Sequence, residues 1–173
     1  PYCWYEVKEN GTSIDERGIS DVSLELKWRF YEEEFLSLAL KPGIALPSGD
    51  DEKGLGAGRL TCGLYFIATK KIEPFVLHLN LGYTRNENTV GEVNDLWHAS
   101  LAGETEVLRN LKIVANTGME RNPDRRSNTH PAFILSGLIF SLSEGFDVDF
   151  GVKCGLNKPE TDYCALAGIA VRF

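Results

Sequence analysis

The sequence predicts an all-β chain folded as an up-and-down antiparallel barrel, and three observations predict it. Apolar and polar residues alternate with period two through most of the chain, the mark of strands with one oily and one polar face. The alternating segments run to about ten residues and are joined by connections that are in turn long and short. The final segment, ALAGIAVRF, puts Ala165, Ala167, Ile169, Val171 and the terminal Phe173 on one face.

Size and composition set the frame. The 173 residues suit one domain, residues 1–173, with a sizeable core or one medium barrel. Apolar residues make up 43% and charged residues 25%, ordinary for a soluble protein. The longest nearly apolar run, Pro131 to Leu142, is too short to span a membrane as a helix and is interrupted by Ser136 and Gly137. Alternating strands dilute hydrophobicity, so a membrane barrel stays compatible with this composition. A net charge of −7 gives no support to nucleic-acid binding. The chain starts at Pro1 without methionine, as expected if a leader is removed or a longer polypeptide precedes it. Cys154 and Cys164 flank GLNKPETDY; they either bridge the ends of that loop or stand as unpaired thiols on neighbouring strands. Neither the cysteines nor His78, His98 and His130 have metal-site spacing, so no metal or cofactor is expected.

Taken in order, Pro1–Lys8 reads as an aromatic-rich strand and Glu9–Gly18 as a polar loop. Asp21–Phe30 and Phe35–Leu46 form a hairpin across YEEE. In its first arm Val22, Leu24, Leu26, Trp28 and Phe30 oppose Ser23, Glu25, Lys27 and Arg29. Pro47–Gly58 is a glycine-rich loop whose GLGAG lacks the GK[ST] and helix of a phosphate loop, and it reads as mobile. Arg59–Ala68 is a strand, Thr69–Pro74 a tight basic connection and Phe75–Tyr83 a strand of clean alternation. Thr84–Glu92 is a polar loop. Asn94–Leu101 is a strand, followed by a turn at AGE and a strand over Thr105–Gly118. Glu104–Lys112 is the best helix candidate, but it runs directly into β-like sequence. Glu120–His130 is a charged loop in which Arg121, Arg125 and Arg126 are either solvated or in contact with lipopolysaccharide phosphates. Pro131–Leu142, Phe146–Cys154 and Cys164–Phe173 complete about ten strands.

This alternation of long loops and short turns is expected of an outer-membrane barrel, whereas a sandwich has no reason to keep it. A last strand ending in Phe173 resembles the signal read by the bacterial barrel-assembly machinery. It places the short turns in the periplasm and the long loops outside.

The hairpin GISDVSLELKWRF and LALKPGIALPSGD, with NLGY at Asn80–Tyr83, Trp97 and the closing AGIAVRF, resembles the outer-membrane family named for the MetA pathway of phenol degradation. The resemblance covers essentially the whole chain. It implies an outer-membrane channel of twelve strands in a Gram-negative bacterium, of which this chain shows about ten, lacking an N-terminal hairpin or forming a shorter relative.

With oily faces toward lipid, the opposite faces line a lumen. They supply Glu25, Lys27, Arg29, Lys41, Arg59, His78, Asn80, His98, Lys112, Asp147, Asp149, Lys153 and Arg172, a set richer in bases than acids that points to anions, aromatic acids among them. The expected activity is passive passage of small solutes, aromatic or hydrophobic compounds among them, with lipid, lipopolysaccharide and solute as partners. No catalysis is expected. His98 and Ser100 share a face, but residues two apart on a strand do so by default. Two rivals remain: a soluble lipocalin-like barrel, oily inside and binding an apolar ligand, and a surface barrel whose charges plug the lumen.

Overall fold

The computed structural model describes residues 2–9 and 12–172, with side chains from residue 16 onward. Among these residues there is no helix. The strands are β1 (Tyr2–Glu9), β2 (Thr12–Ile19), β3 (Val22–Glu25), β4 (Trp28–Glu32), β5 (Leu36–Leu46), β6 (Thr61–Ile72), β7 (Phe75–Arg85), β8 (Asp95–Leu108), β9 (Leu111–Glu120), β10 (Ala132–Ser143), β11 (Phe146–Gly155) and β12 (Tyr163–Val171). β1 pairs with β2 in a sheet of their own. With β3 and β4 taken as two halves of one position, every neighbour in space from β3 to β12 is a neighbour in sequence and every pairing is antiparallel, which is up-and-down barrel topology. This sheet curls into a half-barrel trough with one concave face.

The connections alternate as the sequence predicts. Residues 33–35, 73–74, 109–110 and 144–145 make short turns at one end, while residues 47–60, 86–94, 121–131 and 156–162 make long loops at the other. The hairpin β8–β9 departs from expectation. Its turn lies at Arg109–Asn110, not at AGE, and β8 runs through Gly103, which pairs with Leu77 and Ala115. The helix-like ETEVLRNLK is this hairpin: Glu104 and Glu106 share a face with Lys112, and Leu108 pairs with Leu111 across the turn. Hydrogen bonds to β7 and across the turn outweigh a local helical pattern too short to hold alone.

The N-terminal region also differs. β2 occupies the stretch read as a polar loop, because pairing with β1 satisfies its backbone despite its polar composition. The single strand expected over Asp21–Phe30 is broken into β3 and β4. Both pair with β5, and only the Leu26 N–H, donating to the Pro42 carbonyl at 3.0 Å, bridges the gap. Pro42 lacks an N–H and leaves the ladder one donor short opposite the break.

The glycine-rich loop, expected to be mobile, is tied down. Asp21 accepts from the Gly49 and Ala57 backbone N–H groups at 2.9 and 2.8 Å, and Leu55 is buried beneath it. Gly54 and Gly58 hold φ near +70°, the left-handed region that glycine enters without a Cβ clash.

β3–β4 and β12 are the edges of the sheet, and neither has a second partner among the described residues. As the first and last of nine successive positions they run in the same direction, so an antiparallel seam between them requires a further strand.

Cys62, Cys154 and Cys164 are free. Cys164 pairs with Lys153 and Cys154 with Tyr163, so the two thiols point to opposite faces of the sheet and no disulfide joins them. Mass spectrometry of the oxidised protein is therefore expected to find both alkylatable. A linked 154–164 peptide would contradict the register of β11 with β12.

Candidate functional site

Register assigns every strand residue to a face, because directly paired residues share one. On β7 exposure alternates residue by residue: Phe75, Leu77, Leu79, Leu81 and Tyr83 are exposed, while Val76, His78, Asn80 and Thr84 are shielded. Followed through the ladder, the exposed face carries Leu24, Leu64, Leu101, Ile113, Leu138, Phe150 and Ile169, and the last reaches 69% exposure. Its charges in β3–β12 are Lys70, Arg85 and Asp95, all near strand ends; Arg85 and Tyr83 both donate to Asp95, at 2.9 and 2.6 Å. No large side chain is fully buried among the described residues. The apolar surface is thus outside and the polar surface inside the curl, far beyond the scattered apolar exposure of an ordinary monomer.

Most of the residues singled out from sequence lie on the shielded face. Glu25, Arg29, Lys41, His78, Asn80, His98, Lys112, Asp147, Asp149 and Lys153 do so by register, and Arg172, just past β12, reaches back to Asp147 at 2.7 Å. Two lie elsewhere: Lys27 sits in the break between β3 and β4, and Arg59 in the loop before β6, both exposed. Phe173 lies outside the described residues.

The shielded face also holds groups the sequence reading passed over. Glu32, Glu104, Glu106, Glu120 and Lys71 are on it. The face of β3–β12, with Arg172, therefore sets Arg29, Lys41, Lys71, Lys112, Lys153 and Arg172 against Glu25, Glu32, Glu104, Glu106, Glu120, Asp147 and Asp149. It is nearly balanced, not rich in bases. The expected excess arose from counting Lys27 and Arg59, which lie off this face, and from leaving out Glu32, Glu104, Glu106 and Glu120, which lie on it. Three of the lysines are also paired: Lys41 with Glu25 at 3.0 Å, Lys112 with Glu104 at 3.0 Å, and Lys153 with Glu160 of the following loop at 2.8 Å. His98 contacts Glu120 at 3.3 Å, while Ser100 faces Asn80 at 3.4 Å, so His98 and Ser100 have separate partners.

One rung of this face organises the upper wall. Lys41, Tyr65, Gly82, His98 and Glu120 are directly paired across β5 to β9. The Tyr65 ring lies flat on Gly82, where a Cβ would collide with it. Lys41 Nζ is 4.9 Å from the Tyr65 ring centroid, and the His98 ring is 5.8 Å from it on the other side. Phe133 repeats the device, lying on Gly118 with Lys153 Nζ 5.3 Å from its centroid. Strict alternation against Leu64 and Phe66 was the signal that could have placed Tyr65 here.

A family model described as "Putative MetA-pathway of phenol degradation" matches residues 1–173. The chain belongs to that family. No curated protein matches it. In this family member the loop arginines act as braces: Arg125 donates to the Glu92 carbonyl and to Asn94, each at 2.9 Å, and Arg126 to Asp124. The Arg126 backbone N–H, then its side chain, hold the Asp124 carboxyl below its ordinary value.

The Lys112–Glu104 pair offers a direct check on the shielded face. A double-mutant cycle of Glu104→Gln with Lys112→Met is expected to return a coupling of about 0.5–1 kcal/mol in urea unfolding. Zero coupling would place the two side chains apart.

Proposed function

We propose that the protein is an outer-membrane barrel of a Gram-negative bacterium that lets small solutes, aromatic or hydrophobic ones among them, pass without catalysis. One observation carries this reading: the same strands present an oily face outward and a polar face inward. Water rewards the opposite arrangement, and the soluble-barrel alternative requires it. Lipid around the exposed face accounts for Leu77, Leu79 and Leu81 standing free of any core. The eleven residues of β7 match a tilted strand crossing a bilayer. Exposed Phe35 and Phe75 near the short turns, with Tyr83, Trp97 and Tyr163 near the long loops, fit two interfacial girdles. The family's description supports an aromatic solute. Lipid and lipopolysaccharide are the proposed surroundings, with assembly machinery acting through Phe173.

The paired interior charges favour a second reading, a barrel filled by its own salt bridges. Conductance separates the two. In planar bilayers the channel is expected to give discrete steps and, because its inner charges balance, a reversal potential near zero in a potassium chloride gradient. Absence of steps from correctly folded protein would favour the filled barrel. The protein is also expected to need detergent and to shift gel mobility on boiling; a monomer soluble without detergent would overturn the membrane reading. Leu79→Arg is expected to cost about 2–4 kcal/mol of stability in lipid if the site lies near the midplane, against little for a water-exposed leucine.

A further inference from the structure

Tyr65 divides the upper wall into two hollows of similar size. One, of about 140 Å³, is lined by Glu25, Lys41, Thr61, Gly63, Tyr65 and Thr84. The other, of about 170 Å³, is lined by Tyr65, Thr84, Leu96, His98, Glu120 and Arg121. A cavity of about 150 Å³ holds one benzene ring. The partition is held in place by glycine: Gly82 leaves room for the Tyr65 ring to lie against the sheet. Across the ladder Gly63 pairs with Gly43, which keeps the floor of the first hollow flat.

Each hollow joins an aromatic wall to one carboxylate and one cation. In the first these are Glu25 and Lys41, 3.0 Å apart. In the second they are Glu120 and Arg121, with His98 against Glu120. An anion entering either hollow would meet a fixed carboxylate, and a cation a fixed cation. A neutral ring bearing a hydroxyl satisfies both, donating its O–H to the carboxylate and accepting from the cation, with its π face or edge against Tyr65.

We propose that the two hollows flanking Tyr65 bind uncharged, single-ring hydroxylated aromatics, and that Glu25 and Lys41 select the hydroxyl in the first. This rests on the shielded face being a solute path and adds the residues and the charge state of the solute. An analogue lacking the hydroxyl makes neither of these hydrogen bonds and leaves Glu25 and Lys41 on each other, so it is held by ring contact alone.

The test uses the full chain refolded in detergent micelles, with 3-fluorotyrosine incorporated and the Tyr65 resonance assigned through Tyr65→Phe. Titration with phenol is expected to move that resonance saturably, with toluene and benzoate at least tenfold weaker. The fourfold variant Glu25→Gln, Lys41→Met, Glu120→Gln and Arg121→Met alters both hollows and keeps the net charge; it is expected to retain ring binding and lose at least tenfold in preference for phenol over toluene. Gly82→Ala, which pushes the ring off the wall, is expected to abolish the saturable shift in protein that still shows heat-modifiable mobility. Equal responses to phenol and toluene in the native chain, or a non-saturating drift matching micelle partition, would overturn the proposal. Potassium chloride conductance of the same preparation tests the channel reading separately. Conduction without phenol binding defeats this site alone, and phenol binding without conduction defeats the channel alone.

Discussion

The antiparallel ladder is the constraint on which the rest depends. It satisfies the backbone of β3–β12 strand by strand, and its period of two forces each strand to segregate its side chains. A slip of one residue in β7 would send His78 and Asn80 outward and Leu79 and Leu81 into the curl. Register is held against such slips by contacts on the inner face that only one alignment makes. Tyr65 on Gly82, Phe133 on Gly118 and the backbone approach of β11 at Gly137 are three of them. The arrangement is therefore fixed by fit among its polar and aromatic inner side chains, while the oily outer face contributes little until something apolar covers it.

That inner face is economical in charge. Arg29, Lys41, Lys112, Lys153 and Arg172 each have a carboxylate partner, so a solute moving along the face, as proposed, would meet paired charges in place of a field of one sign. An ion pair facing water is worth little to stability, and its partners remain free to exchange one another for a polar ligand. A wall of this kind suits a neutral polar solute better than an ion, and Tyr65 and Phe133 add aromatic surface to it.

Much of this was legible in the sequence because alternation is a local property. Strands β5, β7, β11 and β12, the two classes of connection, and the facing of Glu25, Lys41, His78, Asn80 and Lys153 follow from period two, while β10 shows only as an apolar run whose facing the pattern does not assign. What escaped depended on partners far along the chain. Gly103 looks like a turn residue until Leu77 and Ala115 flank it in the ladder. Glu120 looks like loop until its pairing with His98 extends β9 to include it. The stretch Thr12–Ile19 is too polar to announce a strand, and only the register with β1 makes it one. The Leu26–Lys27 break lies inside the clearest alternating stretch of the sequence, where pattern alone argues for continuity. Tying of the Pro47–Gly58 loop rests on the single carboxylate of Asp21, upstream of β5.

In the proposed membrane barrel, lipid meets the face of Leu77, Leu79 and Leu81 and water meets the face of His78 and Asn80. Single cysteines placed through Phe75–Tyr83 in a background without native cysteines, spin-labelled and reconstituted in lipid vesicles, test it by collision with oxygen and with a water-soluble nickel chelate. Oxygen accessibility is expected to peak at odd-numbered positions and nickel accessibility at even-numbered ones, with period two. Uniform nickel accessibility, or the reverse phase, would contradict it.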